Sequence, residues 1–240
     1  MRTALLLALA AASTARADTS VAPEIAAAPP ARCTFEDGPF WRAYHEMTDE
    51  DRRTLVRYDE LRDASARYFL FSRWMTSTGR DARVVDRRTH AVVRTLDVQG
   101  LGLVEDRDGA LVGVLTLDRR QLALVDAKSG QPRWRVPAPR GLQYDGFSAL
   151  VDGDRLILAN YHRDATGATL FALDLGSGAL RWTADVEQLN VAHSEYYNDV
   201  ALERRGAELV MRGYEAAGCY VQSFDLQSGR RLSSVMKRNW

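Results

Sequence analysis

The chain has 240 residues, with 32 Lys and Arg against 32 Asp and Glu, 46% hydrophobic and 27% charged. That is the make-up of a globular chain with material for a sizeable core, and it excludes disorder, collagen and coiled coil. A net charge of zero and a pI near 6.9 leave no electrostatic footprint for nucleic acid or an anionic membrane surface, so neither is expected as a partner.

The opening MRTALLLALAAASTARADTS reads as a secretory signal, residues 1–17, with Arg2 as the positive start, Leu5 to Ala12 as the apolar run and Ala15-Arg16-Ala17 as the cleavage site. The run is too short to span a bilayer, and no later stretch approaches about 18 apolar residues, so no stable membrane insertion is expected. The mature chain is expected in the periplasm or outside the cell. Residues 18–38, rich in Ala and Pro and then polar, read as a flexible lead. Residues 39–66 read as a helical segment packed on the strand-rich remainder of the chain. Phe40, Trp41, Tyr44 and Met47 recur at helical spacing, and Thr48 with Asp51 forms an approximate capping box.

From 67 to 240 the chain alternates β-branched and aromatic runs with Gly, Asp and Ser turns. Four segments repeat: RVVDRRTHAVVR, ALVDAKSGQPRW, FALDLGSGALRW and QSFDLQSGRRLS, aligned on Asp86, Asp126, Asp174 and Asp225. An Asp ending a strand can accept hydrogen bonds from backbone N–H groups of the turn, and the residue four places on must take positive φ. Three copies carry Gly there and the first carries His90, a residue type enriched at positive φ. Trp134 and Trp182 fall on the returning strands, where a ring can cover the neighbouring sheet. A second hairpin precedes each turn, giving four strands in about 45 residues, the period of a propeller blade. The predicted fold is therefore all-β: a small β-propeller of about four four-stranded blades with an N-terminal helical segment.

The segments LVDAKSGQPRW and LFALDLGSGALRW resemble the pyrroloquinoline-quinone-like propeller repeat, an apolar-Ala-Leu-Asp-x-x-Thr/Ser-Gly-x-x-x-Trp strand-turn-strand. The resemblance implies an exported propeller of the kind found in quinoprotein dehydrogenases and in the non-enzymatic scaffold lipoprotein of outer-membrane protein assembly. Enzymes of that family carry eight blades, an adjacent-cysteine disulfide beside the quinone and a calcium site. About four blades and no Cys-Cys pair point to the non-enzymatic branch, with no cofactor expected.

Export lets Cys33 and Cys219 form a disulfide, two free thiols being the alternative. If the last blade uses its own four strands, the ring lacks the usual shared-strand clamp. The Cys33–Cys219 bridge with the helical segment beneath it is the expected closure, and a homodimer of two half-rings is the alternative. The four histidines have no ligand-like spacing, so no metal is expected. Two loops rich in polar aromatics are the candidate partner site: Tyr144 and Asp145 in GLQYDGF, and His193, Glu195, Tyr196, Tyr197 and Asn198 in VAHSEYYND. A third, ANYHRDATG, is expected at the opposite end of its strands. His193, Ser194 and Asp199 supply the residue types of a hydrolase triad but sit too close in sequence and lack a nucleophile elbow. No catalytic residue is assigned. The expected function is a binding module for a protein or cell-envelope component, with a quinoprotein-like enzyme or a hydrolase as alternatives.

Overall fold

The computed structural model describes residues 33–58, 60–73, 81–118, 120–161, 167–189 and 198–239; the expected signal peptide lies outside them. Four antiparallel sheets of four strands follow one another. Blade 1 is β1 (Glu60–Ala64), β2 (Tyr68–Ser72), β3 (Ala82–Asp86) and β4 (Val92–Leu96). Blade 2 is β5 (Gly100–Glu105), β6 (Leu111–Asp118), β7 (Gln121–Asp126) and β8 (Pro132–Pro137). Blade 3 is β9 (Gly146–Asp152), β10 (Arg155–Tyr161), β11 (Ala168–Asp174) and β12 (Leu180–Asp185). Blade 4 is β13 (Asn198–Arg205), β14 (Glu208–Glu215), β15 (Gly218–Asp225) and β16 (Arg231–Arg238). Within each blade consecutive strands pair, and among the described residues no strand is shared between blades. The first strands converge: β1 touches β5, β5 touches β9, β9 touches β13, and β1 also reaches β9. The middles of β2, β10 and β11 are buried on both faces, which is why FLF, LILA and LFAL read as apolar runs.

The repeated turn has the expected construction. The Oδ1 atoms of Asp86, Asp126, Asp174 and Asp225 each accept from the N–H groups two and three residues on and from the Thr or Ser hydroxyl of the latter, at 2.7–3.1 Å. The fourth residue takes positive φ in every copy: His90 55°, Gly130 72°, Gly178 75° and Gly229 71°.

The two tryptophans lock each turn to the blade before it. Trp134 Nε1 donates to the Leu175 carbonyl at 2.9 Å and Trp182 Nε1 to the Leu226 carbonyl at 3.2 Å, in each case the residue after the next turn aspartate. The rings lie on Gly178 and Gly229, where a Cβ would stand 2.5 Å from the indole. Arg94 fills the same slot in blade 1, its Nε donating to the Ala127 carbonyl at 2.8 Å.

The first and last copies depart from the pattern at these two slots. In the glycine slot of blade 1, His90 Nδ1 meets Asp51 Oδ1 at 3.1 Å. In the tryptophan slot of blade 4, Ser233 bonds Ser223 at 2.8 Å.

Two helices occupy the face of blade 1 that in later blades meets a neighbour. They are α1 (Pro39–His45) and α2 (Asp49–Tyr58). Phe40, Ala43 and Met47 pack with Leu61, Phe69, Phe71 and Val85, and α1 contacts both β1 and β13. The Thr48–Asp51 capping box forms, Thr48 N to Asp51 Oδ2 at 2.9 Å and Asp51 N to Thr48 Oγ1 at 3.3 Å. Cys33 is disulfide-bonded to Cys219 of β15, and Asn239 Nδ2 donates to the Cys33 carbonyl at 2.6 Å.

One boundary is corrected. The helical reading of 39–66 ends at Tyr58, and Glu60–Ala64 is the first strand of blade 1. ELRDA has helix-forming composition, but Leu61, Arg62 and Asp63 are buried and paired with β2; tertiary contact overrides propensity.

Candidate functional site

Gly146 pairs with Tyr161, so the start of β9 lies beside the end of β10. A hairpin reverses the chain, so odd strands start and even strands end at the same end of every blade. Tyr161 and Gly167, which flank residues 162–166 of ANYHRDATG, therefore stand at the same end as connection 138–145 and not at the opposite one; residues 162–166 themselves lie outside the described residues, and the Asp-anchored turns lie at the other end. Of the residues expected to bind, His193, Glu195, Tyr196 and Tyr197 lie outside the described residues.

Tyr144 and Asp145 fasten their loop to the first two blades. The Arg62 guanidinium, 3% exposed, lies 3.9 Å from the Tyr144 ring centre, pairs with Glu60 at 2.6 Å and donates to the Asp145 carbonyl. Tyr144 Oη donates to the Gly100 carbonyl at 3.1 Å, and the Asp145 carboxylate accepts from Gly146 N at 2.9 Å. Asn198 is fully buried and its Nδ2 donates to the Gly167 carbonyl at 2.9 Å, so it positions a loop and offers a partner no surface.

Between these loops opens a recess of about 410 Å³, lined among others by Gln143, Asn160, Thr169, Asp185 and Gln188. Asn160 holds its rim: Oδ1 accepts from Gln143 N at 2.8 Å, while Nδ2 donates to the Gln143 and Gly146 carbonyls at 3.3 and 3.1 Å. Glu215, 1% exposed, holds the opposite rim by accepting from Gly167 N at 3.3 Å. Burial pushes its carboxyl up to about 7. Sequence reasoning missed both; the one visible signal was a polar Asn inside the apolar run LILANY.

A second cavity, about 210 Å³, is walled by the four first strands and α1 and includes Asp63, Glu105, Tyr161 and Asp199. Its carboxylates are engaged. Asp63 Oδ2 accepts from Leu103 N at 2.6 Å. Ser65 Oγ donates to Glu105 at 3.0 Å, and burial pushes the Glu105 carboxyl up to about 7. Asp199 Oδ2 accepts from Phe40 N at 2.7 Å and Trp41 N at 3.3 Å, capping α1; Oδ1 accepts from Tyr161 Oη at 2.9 Å and Val200 N at 2.8 Å. The aspartate weighed for a hydrolase triad thus ties α1 to blades 3 and 4. Among the described residues no group of three His, Cys, Asp or Glu is placed to hold a metal ion, and no helix is long and apolar enough to cross a membrane.

Four consecutive four-stranded blades, each with the same Asp-anchored turn between its third and fourth strands, define a protein built from propeller-type repeats. Solved structures similar to this chain include BamB from Moraxella catarrhalis, at 19% identity and TM-score 0.46 over 72% of this chain and 47% of that one. Quinohemoprotein alcohol dehydrogenase from Comamonas testosteroni matches at 11% identity and TM-score 0.47, over 75% and 35%. Hydrazine synthase of Kuenenia stuttgartiensis matches at 17% identity and TM-score 0.44, over 75% and 50%. The chain spans half or less of each of these, and such likeness assigns it neither activity nor partner. No family model and no curated protein matches.

Proposed function

We propose that this is an exported, non-enzymatic propeller module that holds a protein partner at the strand-start end of its blades. The observation that carries the reading is the recess of about 410 Å³ at that end. Its rim comes from connections fixed to a rigid frame by Asn160, Asn198 and Glu215, and its lining offers side-chain amides, a hydroxyl and a carboxylate. Loops held on a rigid scaffold, presenting both donors and acceptors, suit recognition of an extended peptide. The Cys33–Cys219 disulfide supports an oxidising compartment, and together with the signal-like start it supports the periplasm or the cell exterior. The helices and this bridge complete the ring within one chain in this reading, and sedimentation as a monomer is the expected result.

The test is site-specific photocrosslinking in the native envelope. Probes at Gln143 and Gln188 are expected to capture one protein that probes at Lys128 and Arg230, in turns at the other end, do not. Capture at both ends alike, or of glycan alone, refutes the reading. A rise in melting temperature on adding pyrroloquinoline quinone with calcium would favour the quinoprotein alternative.

A further inference from the structure

On the face each sheet turns toward the preceding blade runs a row of four residues, one per strand, including the residue three places before the turn aspartate. In blade 3 the row is Ala149, Leu158, Phe171 and Thr183, with Leu158 and Phe171 wholly buried against blade 2. In blade 4 it is Leu202, Met211, Gln222 and Ser234; Gln222 spends its amide on the Glu187 backbone, at 3.2 and 2.6 Å. In blade 2 the row is Gly100, Thr116, Ala123 and Arg135. Small residues where blade 3 has Leu and Phe leave a recess of about 370 Å³ on the face turned to blade 1, within the size range of ligand pockets.

The groups lining it have unspent capacity. Thr116 is 5% exposed, and its hydroxyl has no hydrogen-bond partner among the described residues. Gln99 also lines it, with its side chain hydrogen-bonded to Tyr144. Arg135 and Asp97 line the same recess and form no ion pair with each other or with any other described residue. The recess thus holds a hydroxyl with capacity to spare and charges of both signs.

We infer that the recess between blades 1 and 2 binds a small zwitterion, an amino acid or short peptide. Its carboxylate is taken by Arg135, its ammonium by Asp97, and its polar backbone by the Thr116 hydroxyl. Val98 and Ala123 leave an apolar wall for a small side chain. A ligand with one charge leaves one of the two protein charges unpaired, which sets the specificity.

The probe is alanyl-alanine, titrated into the full chain by calorimetry and thermal shift, with acetate and ethylammonium as single-charge controls. The dipeptide is expected to bind and to raise the melting temperature, and the controls at equal concentration are not. Arg135→Gln and Asp97→Asn, both at exposed positions, are each expected to weaken binding about tenfold or more, the usual effect of losing a hydrogen bond to a charged group. Thr116→Leu with Ala123→Phe copies the row of blade 3 and is expected to abolish binding without lowering the melting temperature. If that variant is unstable, the two charge variants still decide. No binding of the dipeptide at millimolar concentration, or equal binding by the charge variants, overturns the inference.

Discussion

Asp199 is the residue whose loss should be felt most widely. Its side chain is 1% exposed and accepts from four donors: the first N–H groups of α1 at Phe40 and Trp41, the Tyr161 hydroxyl, and its own neighbour Val200. Asp199→Ala leaves these donors without their acceptor in a buried place. At about 1–3 kcal/mol for a stranded buried group and about 1 kcal/mol for a lost helix cap, discounted for partial rearrangement, the expected cost is about 3–5 kcal/mol. For a chain of this length that corresponds to a fall in melting temperature of roughly 10 °C. Asp199→Asn should recover only part of this, because its carbonyl oxygen can accept from two of the four donors while its N–H groups face the other two. Tyr161→Phe removes one of the four bonds and should cost about 1 kcal/mol alone and nothing further in the Asp199→Ala background. Urea unfolding of the four proteins of this cycle, disulfide intact, measures both numbers. An Asp199→Ala variant within about 0.5 kcal/mol of the parent would refute the role given to it, since that is the size of an ordinary surface change.

Other perturbations discriminate as sharply. Gly178→Ala meets the Trp134 ring at 2.5 Å, whereas the nearest atom to a Cβ on Gly130 is an Arg94 nitrogen at 3.8 Å; both strain φ, so Gly130→Ala should cost about 1 kcal/mol and Gly178→Ala at least twice that. Equal melting temperatures for the two would contradict the blade-to-blade lock. The Glu215 carboxyl is raised in the folded state to about 7, so its contribution to stability is present at low pH and is lost as pH rises toward and through 7. Melting temperature should therefore fall more steeply between pH 5 and 7.5 in the parent than in Glu215→Gln, and parallel curves would count against it. Replacing Cys33 and Cys219 together with Ser opens a loop of 185 intervening residues and should cost about 2–5 kcal/mol in chemical denaturation.

The sequence carried the outer half of each blade openly, because Asp, Ser or Thr and Gly stand at fixed offsets for a local reason: one carboxylate oxygen must reach three donors and the next residue must turn. Even the exceptions were physical, His90 keeping the positive φ. β1 was hidden because ELRDA has no local preference for a strand; only burial against β2 and α1 makes it one. The recurring aspartates Asp63, Asp145 and Asp199, each accepting from the N–H of the following residue at 2.8–2.9 Å, were visible as letters but not as a set, since they lie 82 and 54 residues apart in otherwise unlike loops. The candidate site was legible as two loops and not as a recess, because its walls come from Asn160, Gly167 and Glu215, which no spacing rule connects.

Hydrogen exchange on the module alone and bound to its crosslinked partner tests the central claim most directly. Added protection confined to connections 138–145 and 186–197 is the predicted result. Protection of the Asp-anchored turns 86–90, 126–130, 174–178 and 225–229, with the strand-start end unchanged, would contradict it.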